Sequence, residues 1–150
     1  MLKGIHPLLT PDLLYALASM GHGDELAIVD ANFPAVAIGR RVLQIPGADA
    51  PAVLAAVLTV FPLDTAAETS AFTMAVAGNP HAVPAPAADF AAVMTANEIA
   101  DAEIDTLERD AFYQRARHAF VIVRTGELRP YGNILLVKGV VNRYDPTDAR

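Results

Sequence analysis

The firmest constraint on this chain is a set of short, largely apolar runs: 25–29 (ELAIV), 120–124 (FVIVR) and 134–137 (ILLV). Successive apolar residues leave no in–out alternation, so strands of this kind need cover on both faces. Segments punctuated as helices lie between them. In 10–21, Thr10 can cap a helix and Pro11 fits its first turn. Leu13, Leu14, Leu17 and Met20 form its buried stripe, and Gly21 suits the left-handed position past its end. A second helix over 49–61 is capped by Asp49 and stopped by Pro62. A proline-rich loop, 80–86, leads into a third helix over 87–97, and Asp110 caps a fourth over 111–119. Residues 42–45, 71–77 and 103–108 read as further strands, and 125–133 as the turn between the last two. Helices alternating with such strands predict one α/β domain over residues 1–150: a three-layer α/β/α sandwich with a mixed, largely parallel central sheet. The polar stretch 140–150 is expected to be a loosely held tail.

Composition narrows the function classes. With 53% hydrophobic and 19% charged residues the chain is not disordered, and a core this rich suggests apolar surface buried between subunits of a homo-oligomer, the plainer reading being an alanine-heavy protein with an ordinary core. A net charge of −6, with Arg115, Arg117 and Arg124 as the one loose basic cluster, argues against a nucleic-acid partner. There is no cysteine for a disulfide frame or a thiolate zinc site, and His6, His81 and His118 show no ligand spacing, so no metal is expected. The N-terminus has no signal-peptide core, and no apolar run approaches the ~18 residues of a membrane span. The expectation is a cytoplasmic protein with no membrane partner.

In such sheets function gathers at strand ends and the loops leaving them. Asp30 ends the first strand, whereas His22 lies in the turn leading into it, so the two need not face one cavity within a subunit. Tyr131 and Asn133 sit in the turn before the last strand, and Arg109 and Tyr113 flank the start of the fourth helix. Aspartate accepts from hydroxyls, arginine donates, asparagine does both, and tyrosine adds an apolar face with one hydroxyl: a set suited to a neutral polyol. Histidine passes protons near neutral pH. Each residue also has a plainer reading. Gly21-His22-Gly23 can be a flexible helix stop, Asp30 a turn residue, Tyr113 a core edge, Arg109 a surface charge and Met74 a core filler. A nucleophile elbow, Gly-x-Ser-x-Gly, is absent, and Gly21-His22-Gly23 is too short for a phosphate-cradling loop.

Two stretches are more specific. MLKGIHPLLTPDLLYALASMGHGDELAIVDANFPA at the start and RDAFYQRARHAFVIVRTGELRPYGNILLVKGV toward the end resemble the L-fucose mutarotase and D-ribose pyranase family. The resemblance covers roughly 1–63 and 109–140 and thins between them, apart from 61–65 (FPLDT) at the edge. Gly-His-Gly-Asp and Tyr131-Gly132-Asn133 resemble the fucose branch, where the ribose branch tends to read Gly-His-Thr-Asp and Tyr-Ala-Asn. The resemblance implies a cofactor-independent isomerase that interconverts the α and β anomers of L-fucose or a related monosaccharide by acid–base ring opening and closure. It implies His22 as general acid, Asp30, Arg109, Tyr131 and Asn133 as sugar-binding residues, and Tyr113 as a second acid–base or binding group. Asp64, grouped with the catalytic residues, and Met74 fall where some members contact the sugar. It also implies a ring assembly, a decamer of two stacked pentamers, with each pocket completed by a neighbouring chain. Asn32 departs from the fucose branch, which can carry histidine there, and leaves the exact sugar open. The alternatives are pyranose–furanose interconversion of the D-ribose type, a non-catalytic monosaccharide-binding module and a purely structural assembly protein.

Overall fold

The computed structural model describes residues 1–97, 99 and 103–144. Its elements are α1 (Pro11–Ser19), β1 (Glu25–Val29), α2 (Ala35–Ile38), β2 (Val42–Ile45), α3 (Ala50–Leu58) and β3 (Ala71–Met74). They continue with α4 (Ala85–Ala96), β4 (Ile104–Leu107), α5 (Arg109–His118), β5 (Val121–Thr125) and β6 (Ile134–Val137). The six strands form one sheet in the order β2-β5-β1-β6-β3-β4. β2, β5 and β1 are parallel, as are β3 and β4, while β6 runs antiparallel to both β1 and β3. The sheet is mixed and largely parallel, as the sequence predicts.

Period-two alternation divides the apolar strands between two cores. Leu26, Ile28, Val121, Val123, Ile134 and Leu136 face the layer formed by α1, α3 and α4, against Leu13, Leu17, Val53, Leu54, Phe90 and Met94. Ala27, Val29, Ile122 and Leu135 face the opposite way, against Ala35 in α2 and Phe112 and Ala116 in α5. Pairings such as Ala27↔Leu135 and Ile28↔Val123 fix the register. A one-residue slip would exchange the two cores' side chains wholesale.

Local chemistry moves several boundaries. Thr10 caps α1 by accepting from the Leu13 N–H, but the left-handed residue beyond the helix is Gly23 (φ 84), not Gly21. The chain leaves α1 through an extended Met20 and turns only where the Asp24 carboxylate accepts from the Gly21 N–H (2.7 Å). Asp49 caps α3 as expected, although the helix proper ends at Leu58. α4 starts inside the proline stretch because proline fits a helix's first turn, where its missing N–H has no partner to lose. Asp110 lies within the first turn of α5 and does not cap it; Glu108 occupies the cap position without a side-chain bond. β3 stops at Met74, before a bridge between Val76 and Asn79 closes a turn. The short α2 was not anticipated. Residues 140–144 are exposed, and the rest of the expected tail, 145–150, lies outside the described residues. No helix among the described residues is long and apolar enough to cross a membrane.

Chain order around β1 sets up both ends of the sheet. β5 and β6 flank β1 on opposite sides and run in opposite directions, so residues 126–133 must arch over the C-terminal end of β1. At the other end, the chain leaving β6 lies beside the turn that enters β1, where Gly23 N–H donates to Lys138 O (2.8 Å) and Lys138 N–H to Asp24 O (2.9 Å).

Leu54, fully buried between α3 and the sheet, supplies a test of the packing. Leu54→Ala is expected to lower unfolding free energy by about 2–5 kcal/mol in urea denaturation. Val36→Ala, at a side chain 65% exposed, is expected to change it by about 0.5 kcal/mol or less.

Candidate active site

The arch and the end of β1 enclose a cavity of ≈ 440 Å³ lined by Asp30, Phe33, Met74, Arg109, Tyr113, Tyr131 and Asn133, among others. Six of the eight residues singled out from the sequence therefore meet in one place.

Asp30 is the first residue past β1 and is 7% exposed. Its N–H donates to Asn133 Oδ1 (2.9 Å), and its own Oδ1 accepts from the Asn32 N–H (3.0 Å). Burial pushes the Asp30 carboxyl above its ordinary pKa; bonds from Asn32, Asn133 and Phe33 work against that, and the charge of Glu127 adds to it. Tyr131 stands in the left-handed region (φ 61), and its hydroxyl accepts from the Ala77 N–H (3.2 Å), linking the arch to the turn after β3. Gly132 is required between Tyr131 and Asn133, since a Cβ there would lie 2.5 Å from Glu127 Cγ and 3.4 Å from Asp30 Cβ.

The opposite wall is aromatic. Tyr113, on α5, stacks on Phe33 with ring centroids 5.1 Å apart, and Phe33 meets Phe112 edge-on at 6.1 Å. The Arg109 guanidinium lies 5.5 Å from the Tyr113 ring centroid. Met74 closes the wall from β3, and Leu128, 78% exposed, stands at the mouth. A carboxylate, an amide, a guanidinium and two phenols thus converge beside apolar surface. Phe33 and Leu128 escaped the sequence reading. Phe33 carried one usable signal, an aromatic residue three places after Asp30 at the close of the turn that follows β1.

An ion-paired brace behind the arch also escaped it. The Glu127 carboxylate, 3% exposed, accepts from Arg129 N–H, Nε and Nη2 (each 2.9 Å), and Arg129 Nη1 donates to Asp89 on α4 (2.7 Å). Thr125 Oγ1 donates to Val29 O and accepts from the Glu127 N–H, while Ala31 N–H donates to Glu127 O. The Arg129 hydrogen bonds hold the Glu127 carboxyl below its ordinary pKa despite burial, and Glu127 and Asp89 push the guanidinium further up.

His22 and Asp64 lie elsewhere. β1 separates His22 from Asp30, and six residues from Asn133 to Lys138 span the other edge, about 17 Å of extended chain. His22 Nε2 and Asp64 Oδ2 are 3.2 Å apart, with side-chain exposures of 54% and 12%. Asp64 Oδ1 accepts from the Ala66 N–H (3.0 Å). That bond chiefly holds the carboxyl below the usual range; partial burial opposes it and His22 assists. His22 borders a separate cleft with Leu17, Met20, Phe61 and Lys138. A carboxylate on Nε2 orients the imidazole, favours the proton on that nitrogen and leaves Nδ1 as the free basic atom.

The fold and this end of the sheet define a class of protein: an α/β sandwich with a polar, aromatic-walled cavity at the strand ends. The chain belongs to the RbsD / FucU transport protein family, which it matches over residues 3–141. It is 41% identical over 145 residues to a protein named fucose mutarotase from Danio rerio, covering 94% of this chain and 95% of that one. The fold superimposes on the fucose mutarotase of Streptococcus pneumoniae crystallised in complex with L-fucose, with a TM-score of 0.85, 35% identity and coverage of 93% and 99%. The likeness to Bacillus subtilis RbsD complexed with D-ribose is weaker, with a TM-score of 0.68, 26% identity and coverage of 94% and 99%.

The Glu127 brace predicts a pH signature. Its folded-state pKa is lowered, so its stabilisation is present above the unfolded value and is lost as pH falls through the folded one. Glu127→Gln is expected to be less stable by roughly 1–3 kcal/mol at pH 7. The gap to the wild type should close as denaturation is repeated at progressively acid pH. Asp30, with a raised pKa, carries the opposite sign, its ionisation disfavouring the fold above the unfolded value.

Proposed function

We propose that the protein is a cofactor-independent sugar mutarotase that interconverts the α and β anomers of L-fucose or a closely related monosaccharide. The observation that carries this reading is the cavity at the end of β1, where Asp30, Arg109, Tyr113, Tyr131 and Asn133 converge beside an apolar wall. The fucose mutarotases among its relatives support it, and the weaker likeness to the ribose-bound protein favours fucose over ribose.

In the proposed reaction the C1–O5 bond of the pyranose breaks as the anomeric hydroxyl loses a proton and the ring oxygen gains one. The open aldehyde turns about C1–C2, and closure on the other face reverses both transfers. His22 exchanges one of these protons through Nδ1, its ring aligned by Asp64; Tyr113 or a bound water serves the other end. Asp30, Arg109, Tyr131 and Asn133 grip the remaining hydroxyls, and Met74 with Phe33 receives the apolar edge of a 6-deoxy sugar. A positioned acid–base group contributes ~10²–10⁴-fold, enough to accelerate a reaction that water performs slowly.

The reading includes a homo-oligomer, of decameric ring form by family resemblance, in the cytoplasm. Two observations favour a shared site. The dyad and the cavity lie at opposite ends of β6, so a copy's own His22 does not line its own cavity. Apolar side chains are also exposed at both ends: Leu128 at the cavity, and Val60, Val140 and Val141 at the dyad. A neighbour's dyad seated at the cavity mouth would cover both sets and complete the site.

Saturation-transfer NMR on equilibrated L-fucose tests the activity. Exchange between anomer signals is expected to rise with protein and to fall by ~10²–10⁴-fold in His22→Ala. Undiminished exchange in a folded His22→Ala protein overturns the assignment, and faster turnover of D-ribose transfers it to the pyranase reaction. Shared sites are tested by co-refolding inactive His22→Ala and Asn133→Ala chains. Random mixing restores roughly a quarter of the sites if neighbours complete them and none if each chain acts alone.

A further inference from the structure

His22 and Asp64 are forty-two positions apart in sequence yet share a bond, and the backbone of Lys138 runs between the two segments that carry them. Its backbone pairs with both sides. Toward β1, Gly23 N–H donates to Lys138 O and Lys138 N–H donates to Asp24 O. On the other edge Leu63 bridges Lys138 in antiparallel fashion, Asp64 N–H donates to Val137 O, and Gly139 N–H donates to Pro62 O. The side chain adds a third anchor. Lys138 Nζ donates to Leu17 O (2.8 Å) and Met20 O (2.6 Å), at the end of α1. α1 has no basic residue in its last turn, so this ammonium satisfies terminal carbonyls and meets the negative end of the helix dipole from across the fold. The His22 turn is therefore tied from behind to the strip that carries Asp64, while the imidazole itself is 54% exposed and holds to the protein by the Asp64 bond.

We propose that Lys138 is a positioning residue for the His22–Asp64 pair. Its ammonium fixes the chain just before His22, so that the ring meets Asp64 in one orientation and presents Nδ1 outward. The inference rests on the proton role proposed for His22, and Lys138 itself touches neither the sugar nor the reacting atoms. Losing the ammonium leaves the backbone ladder and the distant cavity intact but frees residues 17–22 to shift, and a misplacement of about 1 Å is enough to slow an aligned proton transfer.

The test uses the full chain and two readouts. The first is anomer exchange as a function of L-fucose concentration; the second is the ¹⁵N signals of the His22 ring in sugar-free protein. Lys138→Met is expected to keep KM within about 2-fold while the saturated exchange rate falls roughly 10- to 100-fold. The ring signals should move in the direction caused by Asp64→Asn, and Lys138→Arg, which keeps the charge and donors, should recover both readouts. Should Lys138→Met not fold, Lys138→Gln decides on the same measurements. A wild-type rate with unmoved ring signals overturns the proposal, as does a raised KM at unchanged rate, which would make Lys138 a sugar contact. If the wild-type protein exchanges no sugar, the functional reading fails by itself, and the ring signals still report whether Lys138 holds His22.

Discussion

The antiparallel pairing of β6 against β1 is the constraint on which the rest of the molecule turns. With β5 already beside β1 in parallel, a strand of the opposite direction on the other edge forces its connection across the end of β1. That crossing brings Asn133 onto the Asp30 N–H and Glu127 beneath Gly132. The same pairing, read to its other end, lays Lys138 along the turn that bears His22. Three fully buried side chains, Ile134, Leu135 and Leu136, maintain it with a partly buried Val137, and hydrophobic burial on both faces makes the register stiff.

Polar groups inside that frame are paired wherever burial would make them expensive. The Asn133 Oδ1 accepts from a backbone amide, and Glu127 is occupied by Arg129. Asp30, 7% exposed, is held by Asn32 and Asn133 at a place where burial nevertheless raises the energy of its charge. A hydroxyl donor arriving there would relieve that cost, which gives the proposed polyol ligand a physical rationale and not only a geometric one.

Much of the fold was legible in the chain because ELAIV, FVIVR and ILLV admit few arrangements, and because Thr10 and Asp49 cap their helices as their chemistry suggests. The boundaries that moved were decided by local side-chain bonds and backbone preferences that apolar patterning does not carry. Gly21 lost the left-handed position to Gly23 because Asp24 reaches back to the Gly21 amide, and proline within 80–86 started a helix instead of forbidding one. For the site, Asp30, Tyr131 and Asn133 announced themselves by standing at strand ends. The pairing of His22 with Asp64 did not, nor did the link from Arg129 to Asp89, since a partner at long sequence separation leaves no periodic trace. Nothing in the sequence singles out Lys138; its reach to Leu17 and Met20 exists only once α1 is docked.

The arch over β1 and the strip beyond β6 are anchored through different helices, α4 by way of Asp89 and α1 by way of Lys138. Recognition and proton chemistry, if divided as proposed, would then be free to drift independently: the arch can be rewritten for a different ligand without disturbing the imidazole. A scaffold built this way can diversify among related substrates by loop exchange while its reaction stays the same.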